Sequence, residues 1–179
     1  SKKWKKTTLG ESWYAGETLI SGIGQGFVLT SPFQLAVMTS IIASNGKIIE
    51  PTILKRSNAN FKTNNKYSKE IKIIKKAMFK VVNENKGTAF KSRLEDVKFA
   101  GKTGTSQVRS ISLAERESDE FRKKEQEWKN RDHALFVGYI PYDDPKYSIS
   151  VIIEHGGSGA STAAPIAKQV FNYINQLEL

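Results

Sequence analysis

Cysteine is absent from these 179 residues, so the chain can form neither a disulfide nor a thiolate metal site. Histidine is scarce too, at two residues, and without cysteine beside them no metal and no cofactor is expected. No apolar run approaches the ~18 residues a spanning helix needs, so no membrane segment is expected in this stretch. The chain opens Ser1-Lys2-Lys3-Trp4, with neither an initiating Met nor a signal-peptide core, and is expected to be excised from something longer. Internal repeats are missing as well. What remains is ordinary globular material: 39% hydrophobic, 26% charged, and long enough for one domain with a real core.

Acids are outnumbered. The formal charge is +10, and ten Lys and Arg lie between positions 47 and 80 against Glu50 and Glu70. Such a surface can meet nucleic acid or anionic lipid. Aromatic rings are not interleaved with these lysines as a base-stacking platform requires, so they read as a solvated face and no nucleic-acid partner is expected. Residues 109–132 differ, because seven bases and seven acids cancel there and apolar residues are few. That pattern predicts a charged surface insertion or an exposed helix laced with ion pairs.

The first 20 residues scatter Trp4, Trp13 and Tyr14 among polar residues and predict an irregular lead-in. Gly22-Ile23-Gly24-Gln25-Gly26 implies close backbone approach or positive φ. It is no dinucleotide fingerprint, since that motif's third glycine would fall at Phe27. Ser31-Pro32 should open a helix, with serine capping and proline at the first position. Leu35, Met38, Ile41 and Ile42 share a face of it, and Asn45-Gly46 stops it. A second helix is predicted after Ser68, with Glu70 near its positive end, a buried stripe of Ile71, Ile74, Met78, Val81 and Val82, and a stop at Gly87. Residues 57–67, between the two, read as a surface loop.

Residues 134–140 are apolar on both faces and predict a strand inside a sheet covered on both sides. Residues 147–153 alternate, and the short link makes the two strands antiparallel. Gly156-Gly157-Ser158-Gly159 reads as a flexible turn. A last helix from about Pro165 is expected to bury Ile166, Val170, Ile174 and Leu177. His133 follows Asp132, but strand neighbours point to opposite faces, so a structural histidine is expected rather than an Asp–His pair. His155, beside glycines, reads as a ligand or a plain loop residue. The sum is an α+β fold, an antiparallel sheet with packed helices.

The most informative run is Ala100-Gly101-Lys102-Thr103-Gly104-Thr105-Ser106-Gln107-Val108. On one short strand Thr103 and Thr105 share a face while Gly104 faces the other way. Two hydroxyls, backbone N–H groups and an ammonium suit a carboxylate and a developing oxyanion. A phosphate-binding loop is excluded, because its first glycine would have to stand where Asp96 does, and an acid there repels phosphate.

With these pieces in order the chain resembles the C-terminal part of the transpeptidase domain of class B penicillin-binding proteins, closest to the elongation type (the penicillin-binding protein 2 group). The likeness runs through Gly22-Ile23-Gly24-Gln25-Gly26, Thr30-Ser31-Pro32-Phe33-Gln34 and Lys102-Thr103-Gly104-Thr105-Ser106-Gln107-Val108. It continues through Arg131-Asp132-His133 and Glu154-His155-Gly156-Gly157. Lys-Thr-Gly is the last of three motifs in that family, after Ser-x-x-Lys and Ser-x-Asn. The resemblance implies a penicillin-binding transpeptidase / serine β-lactamase-like fold and peptidoglycan D,D-transpeptidase chemistry through an acyl-serine. It implies that Lys102 orders the proton network around the serines, and that Thr103 and Thr105 hold the substrate carboxylate. It also implies that the Thr105 N–H joins the oxyanion hole, and that Gly104 lets the strand lie close to a neighbour. Peptidoglycan stem peptides, β-lactams and cell-wall elongation proteins would be the partners. The location would be the periplasmic face of the bacterial inner membrane, with any anchor outside these residues.

The two earlier motifs are not found. Ser44-Asn45-Gly46-Lys47 fits Ser-x-x-Lys formally, but Asn45-Gly46 stands where the motif's helix must continue. No Ser-x-Asn occurs, and Tyr173-Ile174-Asn175 lies on the wrong side of Lys102. The expectation is therefore that residues 1–179 form the C-terminal portion of a single transpeptidase domain, with 109–132 as a charged insertion. The portion with the nucleophile would be missing and the fragment inactive alone. The alternative is a non-catalytic penicillin-binding fold that scaffolds cell-wall synthesis proteins. If the family's sheet also draws strands from before Ser1, this piece exposes a sheet edge and apolar surface.

Overall fold

The computed structural model describes residues 1–48, 50–54, 62–63, 65–108, 117–118 and 127–178. Two compact units are present, Ser1–Ser31 and Pro32–Leu179.

The first unit is helical where an irregular lead-in was expected. It contains α1 (Lys2–Leu9) and α2 (Ala15–Gly22). Ser1 caps α1 by accepting from the Trp4 N–H at 3.2 Å, and Gly10 ends it at φ 70°. The organising residue is Lys5, only 1% exposed. Its ammonium donates to the Ser12 carbonyl at 2.9 Å and to Glu17 Oε1 at 2.5 Å, and lies 3.2 Å from Glu11 Oε2. The Tyr14 ring covers it at 4.6 Å. The other oxygen of Glu17 accepts from the Tyr14 N–H at 2.7 Å, closing the start of α2. One buried cation thus ties two short helices that propensity alone would not hold.

The hydrogen bond from Lys5 holds the Glu17 carboxyl below the usual carboxylate range, and the same bond raises the Lys5 ammonium above the usual lysine range. A depressed carboxyl stabilises the fold above its unfolded pKa and loses that contribution as pH falls through its folded value. A raised ammonium stabilises below the ordinary lysine pKa and loses its contribution as pH rises through its folded value. Helicity of this unit should therefore fall at both acid and strongly alkaline extremes. Lys5→Met should reduce far-UV helicity at neutral pH, and Glu17→Gln should flatten the acid limb. An unchanged spectrum for both variants would refute the clamp.

The second unit is built on a sheet of order β3-β4-β5: β3 (Ala100–Ser106), β4 (His133–Ile140) and β5 (Tyr147–Ile153), all antiparallel. A separate short ribbon pairs β1 (Lys47–Ile48) with β2 (Lys62–Thr63), the latter inside the stretch 57–67 expected as a loop. Helices α3 (Pro32–Ala43) and α4 (Ser68–Asn83) precede the sheet, and α5 (Ala164–Glu178) follows it.

The central strand β4 is apolar on both faces because both are covered. On one face Ala134, Phe136 and Ile140 pack with Val151, Ala164, Ala167 and Phe171. On the other, Tyr139 and Ala100 pack with Ala43 and Met78. Tyr139 is buried with its hydroxyl unpartnered among the described residues, and that burial pushes the phenol well above its usual range. Helix α3 begins at Pro32 as expected, and Asn45 and Gly46 follow it at φ 59° and 92°. Its deepest residues are Thr39 and Ala43 rather than the expected stripe, since the helix is apolar nearly all round and sequence gives it no preferred face. In α4 Ile71, Met78 and Val82 are buried while Ile74 is not.

Helix α5 turns only part of the expected stripe inward, Ile166 and Ile174 packing against the core. Ala164, Ala167 and Phe171 are fully buried, whereas Val170 and Leu177 are largely exposed. Two alanines let the helix approach the sheet closely enough for Phe171 to meet the Phe99 ring edge-on at 5.1 Å. Most of the charged stretch 109–132 lies outside the described residues. Of its last part, Trp128–Asn130 forms a single 3₁₀ turn.

Candidate functional site

The run singled out in the sequence is strand β3, at one edge of its sheet among the described residues. Thr103 lies opposite Phe136, Gly104 opposite Leu135, Thr105 opposite Ala134 and Ser106 opposite His133. Lys102 and Thr105 are exposed, and Thr103 and Gly104 are half-buried. The Lys102 ammonium donates to the Thr103 carbonyl at 2.5 Å, lying along its own strand. The hydroxyls of Thr103 and Thr88 are 2.8 Å apart. Alternation places Thr103 and Thr105 on one face and Lys102 and Gly104 on the other.

Three features behind the strand fix it. Asn83, at the end of α4, donates through Nδ2 to the Phe99 carbonyl at 2.9 Å, just ahead of β3. Gly101 lies under the Phe136 ring, where a Cβ would come within 2.1 Å of Cζ. Most telling is Gly159, which opens a π-helical turn (Gly159–Ala163) before α5. A Cβ there would lie 2.3 Å from the Leu135 carbonyl oxygen and 2.4 Å from that of Gly104. Gly159 is thus the glycine that brings this turn within contact of the strand at Gly104. The Gly-rich turn is not slack.

Beyond Thr105, the two histidines meet. The His155 N–H donates to His133 Nδ1 at 2.9 Å, which leaves the His133 proton on Nε2. His155 Nδ1 lies 3.0 Å from the Arg131 carbonyl, and its ring contacts Trp128 at 4.4 Å. His133 at the start of β4 and His155 in the turn after β5 are thus packed together, and Gly157 closes that turn by donating to the Asp132 carbonyl at 2.8 Å. Among the described residues no cluster of His, Cys, Asp or Glu could hold a metal ion.

Ser44 sits just past α3, with its hydroxyl 3.3 Å from the carbonyls of Ile41 and Lys47. Lys47 has already entered β1, so serine and lysine are not one helical turn apart. Tyr173 and Asn175 lie within α5. Sequence reasoning missed Thr88 and Gly159. The first carried a signal, a Gly-Thr-Ala run just after a helix, but nothing in its composition points across to β3.

A family model for the penicillin binding protein transpeptidase domain matches residues 3–172. The peptidoglycan D,D-transpeptidase MrdA of Haemophilus influenzae is 34% identical over 98% of this chain, which spans 28% of that protein. The penicillin-binding protein PBP2 of Helicobacter pylori, solved in complex with MreC, superposes with a TM-score of 0.82 at 30% identity, over 99% of this chain and 30% of its own. PBP2 of Pseudomonas aeruginosa, solved with WCK 5153, gives 0.76 at 34% identity, over 97% and 37%. The chain spans little more than a third of any of these at most, yet the family model covers nearly its whole length: it belongs to the penicillin binding protein transpeptidase domain family.

Proposed function

We propose that this chain is the Lys-Thr-Gly half of a peptidoglycan D,D-transpeptidase that cross-links cell wall through an acyl-serine and is acylated by β-lactams. The observation that carries this reading is the exposed edge β3, which presents Lys102, Thr103, Gly104 and Thr105 in register on a rigidly backed strand. In this reading a serine outside these residues attacks the carbonyl of a D-Ala-D-Ala stem. The terminal D-Ala leaves with a proton, and an amine from a second stem takes the acyl group and frees the serine. Lys102 orders the proton network, Thr103 and Thr105 bind the stem's terminal carboxylate, and the Thr105 N–H faces the oxyanion. Preorganised donors of this kind lower the barrier because they need not reorient as charge develops.

Residues 1–179 then form the C-terminal portion of one domain. The whole protein would work at the periplasmic face of the inner membrane, with elongation proteins such as an MreC-like partner. The test is mass spectrometry after incubation with a β-lactam. The chain alone should gain no adduct, and the full-length protein should gain one on a serine outside residues 1–179. An adduct on Ser44 would overturn the reading, and no adduct on the full-length protein would favour a scaffold without chemistry.

A further inference from the structure

We infer that Thr88 is a positioning residue of this site, acting through Thr103 as the first member of a two-hydroxyl relay. The inference rests on the proposed role of Thr103 as a carboxylate ligand. A threonine hydroxyl has one proton and two lone pairs. If Thr103 gives its proton to a substrate carboxylate, its 2.8 Å contact with Thr88 can be made only as an acceptor. Thr88 must then be the donor. Its O–H fixes the rotation of the Thr103 hydroxyl, aims the remaining proton at the ligand, and polarises it in the sense that strengthens a bond to an anion.

The backbone around Thr88 is built for such a task. Gly87 donates to the Glu84 carbonyl at 2.8 Å, and Ala89 donates back to the Val81 carbonyl at 3.0 Å. Position 87 admits only glycine, since a Cβ would come within 2.2 Å of the Val81 oxygen and 2.5 Å of the Lys80 oxygen. Ala89 is buried in the core, so both neighbours of Thr88 are anchored while Thr88 itself is exposed. The same helix end is tied to the start of β3 through Asn83. Thr88 is therefore held at a set distance from the strand by main-chain bonds that do not depend on its own side chain. Replacing that side chain should leave the fold in place.

The test uses the full-length protein and two probes, a β-lactam with a free carboxylate and its methyl ester. Acylation rate constants would be measured for Thr88→Val, Thr88→Ser, Thr103→Val and the Thr88/Thr103 double valine variant, alongside melting temperatures. Thr88→Val should slow acylation by the carboxylate roughly tenfold, the scale expected for weakening one hydrogen bond to a charged group, and leave the ester rate unchanged. Thr88→Ser should restore the carboxylate rate. The double variant should be no slower than Thr103→Val alone, because the relay acts only through that hydroxyl. A Thr88→Val enzyme as fast as wild type, or one slowed equally for acid and ester, overturns the relay while leaving the carboxylate role of Thr103 standing. A Thr103→Val enzyme with wild-type acylation by the carboxylate overturns that role and the relay together.

Discussion

Gly159→Ala is expected to destabilise the second unit by about 3 kcal/mol or more, at the upper end of overpacking costs, and to lower its melting temperature by ~6–12 °C. The added methyl would sit 2.3 Å from the Leu135 oxygen and 2.4 Å from the Gly104 oxygen, with the Gly104 nitrogen at 2.9 Å. All three are backbone atoms of adjacent, hydrogen-bonded strands, so no side-chain rotation relieves the clash. Either the turn before α5 lifts away, which unseats Ala163, Ala164 and Ala167 from the core, or β3 and β4 shift together. In both cases Gly104 and its neighbours move, so acylation of the full-length protein should fall along with stability. Gly16→Ala in α2 is the control, because no heavy atom lies within 4 Å of its added Cβ and alanine favours a helix. A thermal melt by circular dichroism compares the two. A Gly159→Ala chain that melts with the parent would mean that the turn does not press on the strand.

Much of the second unit is legible in the sequence because its signals are local. The alternation in β5, the uniformly apolar β4, the Ser-Pro start of α3 and its Asn45-Gly46 stop each depend on a few adjacent residues. Where the reading failed, the cause was distant. Helices α1 and α2 look like scattered polar chain because the group that joins them is a lysine, and its carboxylate partner lies 12 residues away. On α5 the expected stripe is half right, with Ile166 and Ile174 against the core, because bulk does not mark which positions go deepest. The sheet instead accepts Ala164 and Ala167 for their smallness and leaves Val170 outside.

The candidate site divides in the same way. Lys102 to Thr105 are recognisable because strand alternation and motif chemistry coincide within four residues. Thr88 lies 15 residues before its partner, and Gly159 belongs to a glycine-rich run that reads as flexible unless the surface it meets is known. A glycine that frees its own backbone and a glycine that makes room for someone else's look identical in sequence. Only the positive φ of Gly157, against the crowded Cβ position of Gly159, separates the two uses within one turn.

Lys102→Ala in the full-length protein is expected to cut the rate of β-lactam acylation by about 10²–10³-fold, the usual effect of removing one preorganised donor from a charge-developing site. The fold should barely register the change. Lys102 is exposed, and its bond within the chain is to the Thr103 carbonyl of its own strand, so water takes the place of the one hydrogen bond that is lost. Rate and stability therefore separate at this position, whereas at Gly159 they fall together. Lys102→Arg should not restore the rate. A guanidinium is planar and longer, and it cannot place a compact ammonium between the strand and the serines of the proposed network. Thr105→Val should cost less than Lys102→Ala, because it removes a hydroxyl while leaving the backbone N–H at position 105 in place. If Lys102→Ala acylates at the parent rate with an unchanged melt, the ammonium takes no part in the chemistry and the Lys-Thr-Gly edge is a structural strand.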